Sequence, residues 1–277
     1  MNHLLNAIWD DDTLAVEKIL RANHDLIKRR DDNGRTMLSW AAQYGNINIV
    51  KILLKNGAEI NSLDSESKNS PLHVAIIGYE SCSIDTALFL IENGANLFSR
   101  DIEGRTPLDL LANLKIKGCW EGDYDLLVEN ILTKGGTFEQ LPTAAVFGRI
   151  DDVKKLIETG SGLVAELSHI DIEDALDFCL KISTYLKRKD IFNYLFPKVK
   201  NINNCINSWA VSWSVDWDND TVLDIALNYS ADEETISCLR SAGAETRSEI
   251  MECINQAQED VRAIQSFVSL IKKQEKP

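Results

Sequence analysis

The chain has 277 residues, with 43 Asp and Glu against 29 Lys and Arg and a formal net charge of -14. A surface this acidic excludes docking on a nucleic-acid backbone, which needs clustered Lys and Arg to displace counterions, and on an anionic membrane. It favours a basic protein partner. Hydrophobic residues make up 44%, enough for a buried core, so wholesale disorder is excluded as well.

Length alone predicts about two ordinary domains. The opening MNHLLNAIWDDDTL places Asp10, Asp11 and Asp12 where a signal peptide needs an apolar stretch, and no run approaches the ~18 apolar residues of a membrane span. The cysteines, Cys82, Cys119, Cys179, Cys205, Cys238 and Cys253, are scattered without a CxxC pair. That spacing predicts reduced thiols in an intracellular, cytoplasmic protein.

A repeated pattern runs along the chain. NAIWDDDTLAVEKIL (6–20) supplies a helical half, and DDNGRTMLSWAAQYGNINIVKILLKNGAEINSL (31–63) is the clearest full unit. It returns as SPLHVAIIG and TALFLIENGANL (70–97), as DIEGRTPLDLLA from Asp101 completed by LLVENILTKGG up to Gly136, and as TAAVFGRIDDVKKLIETG (143–160). Two degenerate copies follow, from Asp174 to Phe196 and from Asp220 to Ala244. In the clear unit Thr36 caps a first helix, and in its copies Pro71 and Pro107 take the first helical position, where a missing N–H costs nothing. Leu38, Ala41 and Ala42 share one face, Gly45 ends the helix, and Ile49, Val50, Leu53 and Leu54 give a second helix closed by Gly57. No such pair buries its face alone, so neighbours must stack.

These residues resemble the ankyrin repeat, whose hallmark is T-P-L-H-x-A-A, a central Gly, a V-x-x-L-L pair and a closing G-A. The resemblance covers nearly all of residues 4–246 and is most specific over 31–63 and 101–108. It implies an all-α solenoid of about seven units (4–30, 31–63, 64–100, 101–138, 139–170, 171–203 and 204–246) joined by β-hairpin fingers. His73, in SPLHVA, then has a hydrogen-bonding structural role. Residues 247–277 form a C-terminal amphipathic helix. There Thr246 and Glu249 make a capping box, and Ile250, Ile254, Ala257, Val261, Ile264, Val268 and Ile271 recur in steps of four and three. That stripe suits a cap over the last repeat or a dimerisation helix.

Three stretches depart from the pattern. A short finger extension falls near Ser65–Lys68, and residues 113–124 insert a loop carrying Cys119 and Trp120. In 204–219, Trp209, Val211, Trp213, Val215 and Trp217 alternate with small or polar residues, the signature of a strand with one apolar face. That face serves either as an interface or as a patch over the weak last repeats.

No catalytic constellation emerges. Asp216, Asp218 and Asp220 begin like a calcium loop, but Thr221 and Leu227 stand where that loop needs Gly and Glu. Cys119 has Glu121 and Asp123 nearby, the opposite of an activating setting. No enzyme activity, metal or cofactor is expected. The resemblance implies that partners contact the finger tips and the concave surface of the first helices. By motif position that surface carries Trp9, Tyr44, Ile77, Leu114, Phe147, Ile182 and Tyr229, aided by Trp209, Trp213, Trp217 and Trp120. The expected function is non-enzymatic recognition of a protein or peptide by a monomer. An acidic inhibitor or immunity protein that occludes a basic enzyme, and a secreted pathogen effector in a host cytosol, are the alternatives.

Overall fold

The computed structural model describes residues 2–78, 83–118, 124–161, 172–204, 217 and 220–274, with side chains except at 2, 263–264 and 266–274. They fall into two compact units, Met1–Phe147 with Lys154–Glu166, and Gly148–Val153 with Leu167–Pro277.

In the first unit the Thr36 hydroxyl accepts the Ser39 N–H at 3.1 Å and starts a helix. The hydroxyls of Ser70 and Thr106 repeat the arrangement, each in a reciprocal box closed by the side chain three residues on. The helices are α1 (Asn2–Trp9), α2 (Thr13–Ala22), α3 (Met37–Gln43), α4 (Ile47–Lys55), α5 (Pro71–Ile77), α6 (Ile84–Glu92), α7 (Pro107–Ile116), α8 (Tyr124–Thr133) and α9 (Leu141–Val146). Helix α10 (Ile150–Thr159) is divided between the two units. The odd-numbered helices of the first unit stack in order, α1 on α3, α3 on α5, α5 on α7 and α7 on α9. The even-numbered helices α2, α4, α6 and α8 stack likewise. Ala41 and Ala42 are fully buried at the α3 contacts, and Ile49, Val50 and Leu53 fill the face of α4. Each large aliphatic side chain so buried contributes about 1.5–3 kcal/mol before the cost of ordering it.

The fingers are simpler than the expected β-hairpins. Among the described residues there is no strand, only one antiparallel bridge between Arg30 and Thr36. An aspartate does the work of a ladder: the Asp31 carboxylate accepts the N–H groups of Asn33 (3.0 Å) and Arg35 (2.8 Å). Asp101 treats Glu103 and Arg105 identically, at 3.0 and 2.8 Å. The extended finger uses Asp64, which accepts from Ser67 at 2.6 Å and Asn69 at 3.2 Å. Donors taken by a side chain have no need of a partner strand. Backbone bonds then join finger to finger, Ser65 to Asn33 at 3.1 Å and Ile102 to Ser67 at 2.8 Å.

His73 is the buried polar side chain that ties one repeat to the next. Its Nδ1 accepts from the Ser70 N–H at 3.2 Å, and Nε2 donates to the Arg105 carbonyl at 3.1 Å. Asp109 holds the corresponding place one repeat later, accepting from the Thr106 N–H at 2.9 Å and from the Thr143 hydroxyl of α9. Burial pushes its carboxyl above the usual range, against the pull of those hydrogen bonds.

The second unit contains α11 (Ile172–Tyr185), α12 (Lys189–Leu195), a 3-10 turn (Phe196–Lys198), α13 (Val222–Asn228), α14 (Glu233–Ser241) and α15 (Arg247–Gln274). Here α11 packs on α12 and α13, and α13 on α14. Thr221 and Asp224 form the same reciprocal box at the start of α13. In the clear repeat the chain turns at Gly45 (φ 72°), after which the Asn46 N–H reaches back to the Ala41 carbonyl at 3.0 Å. In α11 the equivalent turn is made by Lys187 (φ 56°), with the Arg188 N–H on the Ser183 carbonyl at 2.7 Å. Helix α11 is therefore one turn longer than the sequence pattern suggests. Ile182, expected on the concave surface, and its neighbour Lys181 are both fully buried, and Tyr185 and Leu186 occupy the half-buried positions beside the turn.

Two measurements check these assignments. Burial holds the His73 pKa below 6.5, so the fold keeps the neutral ring. The stability this confers is complete above the unfolded value and is lost as pH falls from 6.5 toward the folded one. Urea titrations from about pH 7 to about pH 5 should show a decline in wild type that is smaller in His73→Gln. At Lys187 a side chain pays the left-handed penalty that glycine avoids. Lys187→Gly should raise the unfolding free energy by about 0.5–1 kcal/mol, read as a higher urea midpoint at constant m-value.

Candidate partner-binding surface

The odd-numbered, inner helices of the first unit end at turns that bring the residues expected on their surface side by side. Trp9, at the end of α1, is 63% exposed, and its ring lies 5.3 Å from that of Tyr44, just past α3. Tyr44 stacks on Trp40 at 5.8 Å with the planes 15° apart. Trp40 is fixed on two sides: its Nε1 donates to Asp31 Oδ2 at 3.0 Å, and the Arg35 guanidinium lies 4.9 Å from its ring centre. Three aromatic rings and a guanidinium thus form one continuous patch on α1 and α3. Exposed Asp10 and Asp11 stand at its edge.

Further along the same unit Ile77, at the end of α5, is 43% exposed. Leu114 and Phe147 are half-buried. The Phe147 ring lies 6.0 Å from Phe138 and carries the Lys115 ammonium 5.2 Å from its centre. Five of the residues picked from motif position, Trp9, Tyr44, Ile77, Leu114 and Phe147, therefore fall on successive inner helices or the turns that end them. Trp40 and Arg35 were not among them. The spacing of Trp40 and Tyr44, four apart on one helix, is the signal that places both rings on one face.

In the second unit Ile182 and Trp217 drop out as exposed contacts. Ile182 is 0% and Trp217 3% exposed. Ile182 is interior because α11 runs on to Tyr185. Trp217 packs edge-on against Tyr185 at 4.9 Å and lies 6.3 Å from Phe178, filling space against α11. Tyr229 remains 43% exposed and meets Tyr185 edge-on at 4.6 Å. Trp120, Trp209 and Trp213 lie outside the described residues, as does the strand expected over 209–217 apart from Trp217.

A second feature of this unit was not foreseen. Lys181 Nζ lies 3.0 Å from Asp177 Oδ2 and donates to the Asn204 carbonyl at 3.0 Å, with both side chains almost wholly buried. Beside it is a polar cleft of about 200 Å³ lined by Glu173, Asp174, Asp177, Lys200, Asn201 and Asn204.

Comparison with known proteins supports the reading of the helix pairs. Residues 4–101 match the family described as Ankyrin repeats, in three copies, and this segment of the chain is built of ankyrin repeats. It is 31% identical over 108 residues to the E3 ubiquitin-protein ligase hecd-1 of Caenorhabditis elegans, covering 38% of this chain and 4% of that protein. It is 40% identical over 63 residues to the NF-kappa-B inhibitor cactus of Drosophila melanogaster, covering 23% and 12%. With the putative palmitoyltransferase ZDHHC13 of Danio rerio it shares 25% over 180 residues, covering 53% and 28%. The chain thus spans only a small part of each relative. Ankyrin repeats mediate protein–protein interaction, and among these relatives they also occur in proteins named as enzymes.

The Asp31 carboxylate holds both the first finger and Trp40. Asp31→Ala should cost about 2 kcal/mol of stability and shift the tryptophan emission to longer wavelength as Trp40 is released. Unchanged emission would confine Asp31 to the finger.

Proposed function

We propose that this protein is a non-enzymatic recognition module that binds a protein or peptide on the inner-helix surface of its first unit. The observation that carries the reading is the contiguous, partly exposed set of Trp9, Tyr44 and Trp40 rings, steadied by Arg35 and Asp31. Large rings already held in place lose little freedom on binding, and buried aromatic anchors dominate interface energies. Ile77, Leu114 and Phe147 extend the apolar contact along the unit.

Asp10 and Asp11 at the edge of the patch, within a chain of net charge -14, favour a partner segment that pairs apolar side chains with Lys or Arg. The same charge supports an inhibitory form of the reading, in which the module covers a basic surface of its target. One relative, cactus, is named as an inhibitor.

Affinity purification with wild-type bait, followed by mass spectrometry, identifies partners, and the same capture with Trp9→Ala/Tyr44→Ala tests the surface. Retention should fall by at least about tenfold, as expected when two central aromatic anchors are lost. For a basic partner, affinity should also fall steeply with added salt. Full capture by the double variant would remove the patch from the mechanism.

A further inference from the structure

Helix α15 is anchored to the other helices of the second unit by its first turn. The Thr246 backbone N–H donates to Glu249 Oε2 at 2.7 Å, and the Arg240 guanidinium grips both Glu249 oxygens at 3.0 and 2.9 Å. That grip, with the Thr246 hydrogen bonds, lowers the Glu249 pKa to about 2. The Arg247 N–H is held by Asp224 at 2.8 Å. Beyond Ile250 the helix is no cap over the last repeat: every residue from Met251 to Arg262 is exposed. Met251 is 46%, Ile254 43% and Val261 52% exposed, and Cys253 is exposed too.

An open apolar stripe of this length needs a cover. Ile250, Ile254, Ala257 and Val261 stand in 4-3 spacing on the described helix, and the sequence continues the spacing through 264, 268 and 271. That makes about three heptads, the length at which such a pattern begins to specify a coiled coil. All three a positions, 254, 261 and 268, are β-branched. An isolated helix gains little from propensity alone, so a packed partner would stabilise a helix of 28 residues that leaves its apolar stripe open.

Charge selects the partner and its direction. The first fourteen residues of α15 hold Glu249, Glu252, Glu259 and Asp260 against Arg247, whereas the last fourteen hold Arg262, Lys272 and Lys273 and no acid. Two copies side by side in parallel would align acid with acid and base with base. Turned antiparallel, each acidic half lies along the other's basic half.

We propose that α15 is a self-association helix, pairing antiparallel with α15 of a second copy of this chain. The register sets positions 254, 261 and 257 against the partner's 271, 264 and 268. This holds the two anchored ends about 30 Å apart or more, given 1.5 Å of rise per residue.

The test uses the full chain in sedimentation velocity over a concentration series. Wild type should dimerise reversibly, Val261→Ile should retain the dimer, and Val261→Asp should weaken it at least about tenfold by burying an unpaired charge. Because position 261 is exposed in the protomer, thermal unfolding of Val261→Asp should match wild type at concentrations low enough for wild type to be monomeric, separating lost association from lost folding. The register brings position 253 to the partner's 274, so oxidised Gln274→Cys should give a covalent dimer that Cys253→Ser abolishes. A monomer at every wild-type concentration overturns the proposal. A covalent wild-type dimer through Cys253 overturns the antiparallel arrangement.

Discussion

The residue before each of α3, α5, α7 and α13 carries a buried hydroxyl, and at α5 and α7 the side chain it positions reaches into the repeat that follows. Thr36 caps α3 and lies 3.4 Å from the Ser62 hydroxyl. Ser70 orients His73, which bonds the Arg105 carbonyl, and Thr106 orients Asp109, which takes the Thr143 hydroxyl. In the second unit the Thr221 hydroxyl caps α13 and donates to the Glu245 carbonyl at 2.8 Å. A helix start is a place where backbone donors must be satisfied. Using the same side chains to join neighbours makes local helix formation and stacking one event. The inner-helix surface, and every residue displayed on it, inherits its spacing from these links.

The chemistry of starting and stopping a helix is what sequence shows best. Thr36, Pro71, Pro107 and Gly45 each have one physical use, and the structure places each of them in it. The errors fall where that chemistry is replaced. With Lys187 taking the left-handed turn, no glycine marks the end of α11, and the pattern sets the turn four residues early. Lys181 reads as solvent-facing by its charge alone, because a buried ammonium is stabilised by partners distant in sequence, here the Asn204 carbonyl. Trp40 escapes notice because the motif leaves its position unspecified, where only a neighbour's identity reveals a cluster.

The acidity of the chain gains a location. Part of it is structural, spent on fingers and helix starts by Asp31, Asp64, Asp101 and Asp109, and faces inward. Another part, Asp10 and Asp11, borders the aromatic patch. A third grades α15 from acid to base along its length. Net charge therefore describes three separate electrostatic roles and predicts none of them by itself.

The buried pair of Asp177 and Lys181 constrains how the second unit's weakest repeat has room to change. Removing either member strands the other charge in an interior, which costs about 3–5 kcal/mol, whereas replacing both by apolar residues of similar size is close to neutral. Single-step drift at these two positions is blocked even though the double change is open. The repeat that has strayed furthest in sequence from its neighbours is thus locked at its centre, free to vary around a point that it cannot leave one residue at a time.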